Sequence, residues 1–178
     1  KVPCHWAHSP RPMEVRGPTG PPTLILRSDA TTGGRMAGKA DFTAEEWEAL
    51  QKGLTGAAFL VAVADQGFFD TFKEAGALAK RLAEARSTST SPLVREIAEV
   101  RGTGFGFTSS PQEIENETGQ ALRSAMSTLA AKAPDAASAY RDLVLDVAQS
   151  VAAAADETAT AESDAIDKIK AALATGID

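Results

Sequence analysis

The longest apolar-periodic stretch in this sequence covers residues 43–86 and is interrupted once, at residues 65–67. In its first half, apolar residues recur at steps of three and four, which places them on one face of an α-helix. These positions are Trp47, Leu50, Leu54, Ala57, Val61 and Ala64. Since Phe59, Leu60 and Val63 widen that face until the last two turns are apolar nearly all round, we predict a helix buried among several neighbours.

Two helix-start patterns mark the beginning of this first helix. Thr43 and Glu46 stand three residues apart, the spacing of a capping box in which each side chain bonds the other residue's backbone N–H. Phe42 and Trp47 stand on either side of the cap, where they can pack together as a hydrophobic staple. We therefore predict that the helix begins at Thr43.

Turn and cap signals divide the rest of the chain into five more helices. Ser91 and Ser110 are each followed by proline, and a serine N-cap before a proline at the first helical position is typical of a helix start. The polar segment 87–91 predicts a connector before the third helix. The first four of these helices are predicted to begin at about Phe69 or Asp70, at Pro92, at Pro111 and near Ala136, and Thr160 is the predicted N-cap of the last.

The predicted fold class is all-α, a single bundle of about six helices within residues 43–175, with the first and fifth helices innermost. Residues 61–65 align without gaps with residues 152–156, and the frame continues through the helices that follow each segment. One interpretation is a pair of pseudo-repeated helical hairpins. The other is that alanine-rich helices align easily with one another.

Residues 1–35 differ in composition from the rest of the chain and are predicted to be a disordered leader, with residues 36–178 as the helical domain. This segment holds six of the nine prolines and has no apolar period. Met36 is a plausible natural start, so the leader is a candidate for upstream sequence. Cys4, His5 and His8 are zinc-type ligands, but zinc takes four and no fourth is near. We interpret them as a coincidental cluster.

Charge and cysteine content exclude several classes of partner. The formal net charge is −6, made of +3 in residues 1–35 and −9 in the remainder. An acidic surface repels a phosphate backbone, so no nucleic-acid partner is predicted. No apolar run approaches the roughly 18 residues that a membrane span needs, and no membrane partner is predicted. The single cysteine rules out an intrachain disulfide, which favours a cytoplasmic location.

The chain from Met36 onward contains neither histidine nor cysteine. A Ser-His-Asp triad, a Cys-His nucleophile, a His-ligated zinc and a Cys-ligated iron–sulfur cluster are thereby excluded from the helical domain. The glycine-rich segment 102–107 lacks the lysine and spacing of a phosphate-binding loop, so we interpret it as a connector. The protein is predicted not to be an enzyme.

Carboxylates remain as the best candidates for chemistry. They concentrate near the two predicted helix breaks, at Asp65, Asp70, Glu74, Asp156, Glu157, Glu162 and Asp164. Because hard cations take oxygen ligands, Ca²⁺ or Mg²⁺ is the cofactor that this set would hold. The predicted metal ligands are Asp65, Asp156, Glu157 and Glu162. The alternative is that acidic residues near helix N-termini only interact with the helix dipole.

Three segments carry a resemblance to known families: FTAEEWEAL, LVAVADQGFFDTFKEAGALAKRLAEA and DVAQSVAAAADETATAESDAIDKIKAAL. They resemble small all-helical bacterial proteins known mainly as uncharacterised, and the layout is similar to TerB-like domains of the tellurite-resistance set. That resemblance implies a helical bundle linked to stress responses and divalent-metal binding. Two positions depart from the pattern: Thr158 replaces the usual glycine, and the glutamate expected after Asp65 is displaced to Glu74.

Three functions follow as hypotheses. The first is a non-enzymatic cytosolic interaction or stress-associated module, with a protein partner or a homodimer closed by the small-residue faces 75–79 and 152–155. The second is a divalent-cation binder that uses the acidic breaks. The third is a binder of small apolar ligands, with a pocket near Trp47, Phe59, Phe68 and Phe72.

Overall fold

A computed structural model describes residues 36–64, 71–100, 102, 110–154 and 160–175, without the side chains of residues 71–74 and 161. The chain divides into Lys1–Gly34 and Arg35–Asp178, and every described residue lies in the second unit. A short 3-10 helix, Lys39–Asp41, precedes six α-helices. These are α1 (Ala44–Ala64), α2 (Thr71–Thr88), α3 (Pro92–Ile97), α4 (Pro111–Lys132), α5 (Pro134–Ala152) and α6 (Thr160–Ala174). The described ranges contain no strand, which confirms the all-α prediction.

The start of α1 follows the sequence pattern. The Glu46 carboxylate accepts a hydrogen bond from the backbone N–H of Thr43 at 2.7 Å, and the Thr43 hydroxyl accepts one from the N–H of Glu46 at 3.2 Å. Both halves of the capping box are therefore present. The rings of Phe42 and Trp47 lie 6.0 Å apart, as a hydrophobic staple requires. The predicted first helix is confirmed at its N-terminus.

Helices α1 and α5 are the centre of the bundle, as predicted, and each contacts every other α-helix. Tyr140 of α5 is fully buried and donates a 2.8 Å hydrogen bond to the backbone carbonyl of Leu50 in α1. Burial raises the pKa of the Tyr140 hydroxyl well above its ordinary value. A Cβ atom at Gly53 would lie only 2.7 Å from the Tyr140 oxygen, so a glycine is what lets the two helices approach this closely.

Most described side chains of helix α2 are exposed or only partly covered. It packs chiefly against α5, where the Arg81 side chain donates a 2.6 Å hydrogen bond to the Ser150 hydroxyl. It also extends into the predicted connector, because the hydroxyls of Ser87 and Thr88 donate back to carbonyls of the preceding turn. Its small residues Ala75, Gly76 and Ala79 are exposed rather than covered by a neighbouring helix of this chain.

The remaining helices begin where the serine and proline signals predict. Ser91 caps α3 and Ser110 caps α4, each with its hydroxyl accepting a backbone N–H. Helix α5 begins two residues earlier than predicted, since Pro134 occupies its first turn, where the missing N–H is not needed. The pseudo-repeat of two hairpins stays a prediction, because α2 lies mainly on α5 and only part of each helix break is described.

Several sequence features lie outside the described residues. These are the leader 1–35 with Cys4, His5 and His8, residues 65–70, most of the glycine-rich segment 102–107, and residues 155–159 and 176–178. The boundary at residue 35 and the disordered leader stay predictions. Within the described helices, none combines the length and the apolarity that crossing a lipid bilayer requires.

Candidate functional site

The predicted metal ligands are only partly placed by the structure. Asp65, Asp156 and Glu157 lie outside the described residues. Glu162 is in the first turn of α6 and is buried, with 3% of its surface exposed. Among the described residues, no three carboxylate, histidine or cysteine side chains converge in the way a metal ion requires. Divalent-cation binding therefore stays a prediction.

Of the predicted apolar pocket, only the Trp47 and Phe59 side chains lie within the described residues, so the pocket stays a prediction. Trp47 itself borders an open groove at the start of α1. The groove has a volume of about 530 Å³ and runs along Lys39, Phe42, Trp47 and Gln51. Both rings are buried, and the ammonium groups of Lys39 and Lys132 lie 5.4 and 5.7 Å from the Trp47 and Phe42 rings respectively. Such cation–π contacts cover the ring faces that an apolar ligand would use.

A larger groove lies between α4 and α6, with one residue of α1 at its floor, and has a volume of about 630 Å³. That volume is within the range of small-molecule sites. Its apolar floor consists of Leu60, Leu122, Ile169 and Ala172, each less than a tenth exposed. Its polar wall consists of Glu115, Asn116, Thr118, Gln120, Arg123, Lys168 and Thr175. The lining is more polar than that of most small-molecule sites, in which apolar side chains predominate.

Thr118 is the least expected residue in this wall. Its side chain is completely buried, and its hydroxyl has no hydrogen-bond partner among the described residues. A buried, unsatisfied hydroxyl destabilises a fold by about 1–3 kcal/mol, so few are found in native proteins. By contrast, the buried Thr55 of α1 donates its hydroxyl to the carbonyl of Gln51 at 3.0 Å. The Thr118 hydroxyl is therefore a covered, unsatisfied polar group in the wall of the groove.

Gly119 follows directly and is the second unexpected residue in the groove. It lies inside the 22-residue helix α4, where a glycine is about 0.5–1 kcal/mol less favourable than alanine. A Cβ atom at this position would lie 3.3 Å from a terminal nitrogen of Arg123, one turn later in the same helix. The missing side chain therefore leaves the space in which the Arg123 guanidinium rests on α4.

The groove is lined by more positively than negatively charged side chains. The Lys168 ammonium donates a 2.8 Å hydrogen bond to the Glu115 carboxylate and joins α6 to α4 as an ion pair. Arg123 makes no ion pair with any described residue. The lining side chains thus hold two positive charges and one negative charge, in a chain whose net charge is −6. The groove carries a local positive charge that is opposite to that of the whole protein.

Sequence reasoning missed this groove, because its residues come from three helices that are distant in the chain. One signal was present: Thr118 and Gly119 interrupt the middle of a helix whose other core positions are Ile114, Leu122, Ala125 and Met126. An isolated glycine inside a helical pattern often has a packing or functional reason.

No protein-family model matches the chain, and neither a curated protein nor a solved structure matches it significantly. The resemblance to TerB-like domains therefore stays a prediction, and the functional argument depends on the groove itself.

Proposed function

We propose that this protein is a non-enzymatic binding module, in which the groove between α4 and α6 holds a small ligand. This proposal keeps the predicted class of a helical interaction or stress-associated module and gives it a site. The observation that supports it is the apolar floor beside a polar wall that includes the unpaired Thr118 hydroxyl and Arg123 guanidinium. Groups of this kind in one groove favour recognition of a molecule with apolar and polar parts.

The non-enzymatic part of the proposal is supported by the side chains near the groove. Covalent and general acid–base catalysis need a nucleophile or proton carrier that is activated by a neighbour. The groove offers the Thr118 and Thr175 hydroxyls, and neither histidine nor cysteine occurs from Met36 onward. The carboxylate of Glu115 is engaged by Lys168. This set suits binding and orientation of a ligand better than its conversion.

Native mass spectrometry of the protein purified from its own host tests the proposal. The wild type is expected to retain a small molecule that is released unchanged on denaturation. Ala171 is an exposed residue at the groove, so Ala171→Trp should fill the groove and abolish the retained mass. Ala131→Trp, on an exposed position of α4 away from the groove, is the matched control and should retain it. A wild type with no retained mass, or an Ala171→Trp variant that keeps it, contradicts the proposal.

A divalent-cation binder is the second candidate, because hard cations take oxygen ligands and the predicted ligands are all carboxylates. Glu162 was predicted as a ligand together with Asp65, Asp156 and Glu157. Calorimetric titration of Ca²⁺, Mg²⁺ and Mn²⁺ tests this candidate, and the absence of binding heat down to millimolar affinity would contradict it.

A homodimer through α2 and a cytoplasmic location also stay proposals. The exposed Ala75, Gly76 and Ala79 are small enough for another helix to approach closely. Analytical ultracentrifugation at high protein concentration tests the dimer, and a strictly monomeric protein would contradict it.

A further inference from the structure

We infer that the α4–α6 groove selects a small amphipathic carboxylate, whose anionic end pairs with Arg123 and whose apolar part lies on the floor. This inference rests on the proposed binding function and specifies the ligand class. It follows from three features of the groove: a guanidinium without an ion-pair partner, an apolar floor, and two adjacent residues that are unfavourable for folding.

The two unfavourable residues are Thr118 and Gly119. A sequence usually agrees with its fold at every level, and local disagreements concentrate at functional sites. Here a buried hydroxyl without a partner and a glycine inside a helix are neighbours in the chain and line the same groove. A fold-stabilising choice was available at both positions, since valine and alanine are close in size to threonine and glycine. Their coincidence in one wall points to a ligand.

The charge of the groove determines the sign of that ligand. Lys168 is already paired with Glu115, whereas Arg123 has no ion pair among the described residues. An anion with a single charge would neutralise the remaining positive charge. The planar guanidinium presents parallel N–H donors that match the two oxygens of a carboxylate. A carboxylate is therefore the group that Arg123 is best shaped to hold.

The floor of the groove determines the rest of the ligand. Leu60 from α1, Leu122 from α4 and Ile169 from α6 form an apolar surface at the bottom of the groove. Because these side chains are each less than a tenth exposed, a hydrocarbon chain laid on them gains mainly van der Waals contact and buries little further apolar area. The Thr118 hydroxyl borders the same groove without a partner among the described residues. It is covered in this structure, so a bond to a ligand atom requires the wall to open at this residue. Charge and apolar contact together require an amphipathic molecule.

Octanoate is a suitable probe, with 1-octanol and octylamine as controls of equal chain length and different charge. Each is titrated into the full-length protein labelled with ¹⁵N, and amide shifts are followed by NMR. We expect octanoate to shift amides of α4 and α6 and to bind at least about tenfold more tightly than the two controls, as expected for a charge-assisted contact. Equal binding of octanol, or shifts confined to other helices, overturns the inference.

A variant at Arg123 tests the contact with the carboxylate. Arg123→Gln should weaken octanoate binding about tenfold and leave octanol unaffected, because only the charged contact is lost. Arg95→Gln, at an exposed arginine of α3, is the matched control and should bind as the wild type does. An Arg123→Gln variant with unchanged octanoate affinity contradicts the carboxylate assignment.

The variants at 118 and 119 separate function from folding. Gly119→Ala should raise the melting temperature, since alanine favours helix, and weaken octanoate binding by displacing the Arg123 guanidinium. Thr118→Val should fold at least as stably and also bind octanoate more weakly. If either variant gains stability and keeps full affinity, that residue has no role in binding and the inference fails.

Failure of this inference is distinguishable from failure of the binding function. A retained host molecule that is lost in Ala171→Trp, combined with no preference for octanoate over octanol, would keep the binding site and contradict only the carboxylate class. Absence of any retained molecule would contradict the binding function itself.

Discussion

Helices α1 and α2 follow each other in the chain and have similar amphipathic patterns, yet they have opposite environments in the fold. α1 buries ten of its 21 residues and touches every other α-helix. Among the described side chains of α2, only Ala85 is buried, and Leu78 and Leu82 are partly covered. An amphipathic pattern therefore indicates which face of a helix is apolar, but the number of neighbours decides how much that face stabilises the protein.

Glycines show the same difference at the scale of single atoms. A Cβ atom at Gly53 of α1 would meet the Tyr140 hydroxyl at 2.7 Å and a methyl group of Leu122 at 3.1 Å. A Cβ atom at Gly76 of α2 would meet nothing within 4 Å. The same residue type permits close packing in one helix and is only a weak point in the other.

The largest effect is expected from truncating a leucine in each helix. Leu54→Ala in α1 should lower the free energy of unfolding by about 2–5 kcal/mol, because a fully buried side chain leaves a cavity. Leu82→Ala in α2 should lower it by less than about 1.5 kcal/mol, since less apolar area is lost. Urea denaturation measures both, and equal losses would contradict the proposed difference between the helices.

The matched glycine substitutions are expected to have opposite signs. Gly53→Ala should destabilise the protein by about 1–3 kcal/mol through overpacking against Tyr140. Gly76→Ala should stabilise it by about 0.5–1 kcal/mol, because its Cβ enters open space and alanine favours helix. Calorimetric melting of the two variants compares them directly. A destabilised Gly76→Ala variant would show that α2 has a close neighbour at this position.

Removing a hydrogen bond to α1 should destabilise the protein more than removing a hydrogen bond to α2. Tyr140→Phe removes the buried donor to Leu50 of α1 and should cost about 0.5–1.5 kcal/mol. Ser150→Ala removes the exposed partner of Arg81 in α2 and should cost less than about 0.5 kcal/mol. Thermal denaturation at neutral pH measures both variants, and a larger loss in Ser150→Ala would contradict the comparison.

The smallest effect is expected from protonation, at low pH, of the glutamates at the N-termini of α1 and α4. Hydrogen bonds from Lys132 and from the Thr43 backbone lower the pKa of Glu46 at the start of α1. A bond from the Ser110 backbone lowers the pKa of Glu113 at the start of α4. Because the folded-state pKa lies below the unfolded value, both contributions are present above about pH 4.5 and are lost as the pH falls through the lowered values.

Glutamine variants isolate the contribution that these two carboxylates make to stability at low pH. Glu46→Gln and Glu113→Gln should flatten the loss of melting temperature below about pH 4.5, since the titrating carboxylate is gone. Glu99→Gln, at an exposed glutamate with no ion pair among the described residues, is the control and should follow the wild-type profile. Melting temperatures collected from pH 7 to pH 3 provide the test, and identical profiles for all three variants would rule out the two helix starts as the sensitive groups.

The sequence alone predicted much of the fold because its signals are local. The capping pairs of Thr43 with Glu46 and Ser110 with Glu113 act within one helical turn, so their spacing identifies a helix start without knowledge of neighbours. The periodic positions of α1 and α5 likewise predicted that these helices are innermost. For α2 the same periodicity was insufficient, since it does not reveal that Ala75 and Gly76 face solvent.

The candidate site was not predicted, because Leu60, Gly119 and Lys168 meet only after three separate helices have packed. Residue order determined the helix starts and the apolar faces, along with the absence of histidine and cysteine from Met36 onward. Tertiary packing decided which faces are covered, leaving Thr118 buried without a partner and Arg123 without an ion pair among the described residues. Capping hydrogen bonds and the spacing of apolar residues involve neighbours in the sequence and can be identified from it. A groove depends instead on distances between segments that are far apart in the chain.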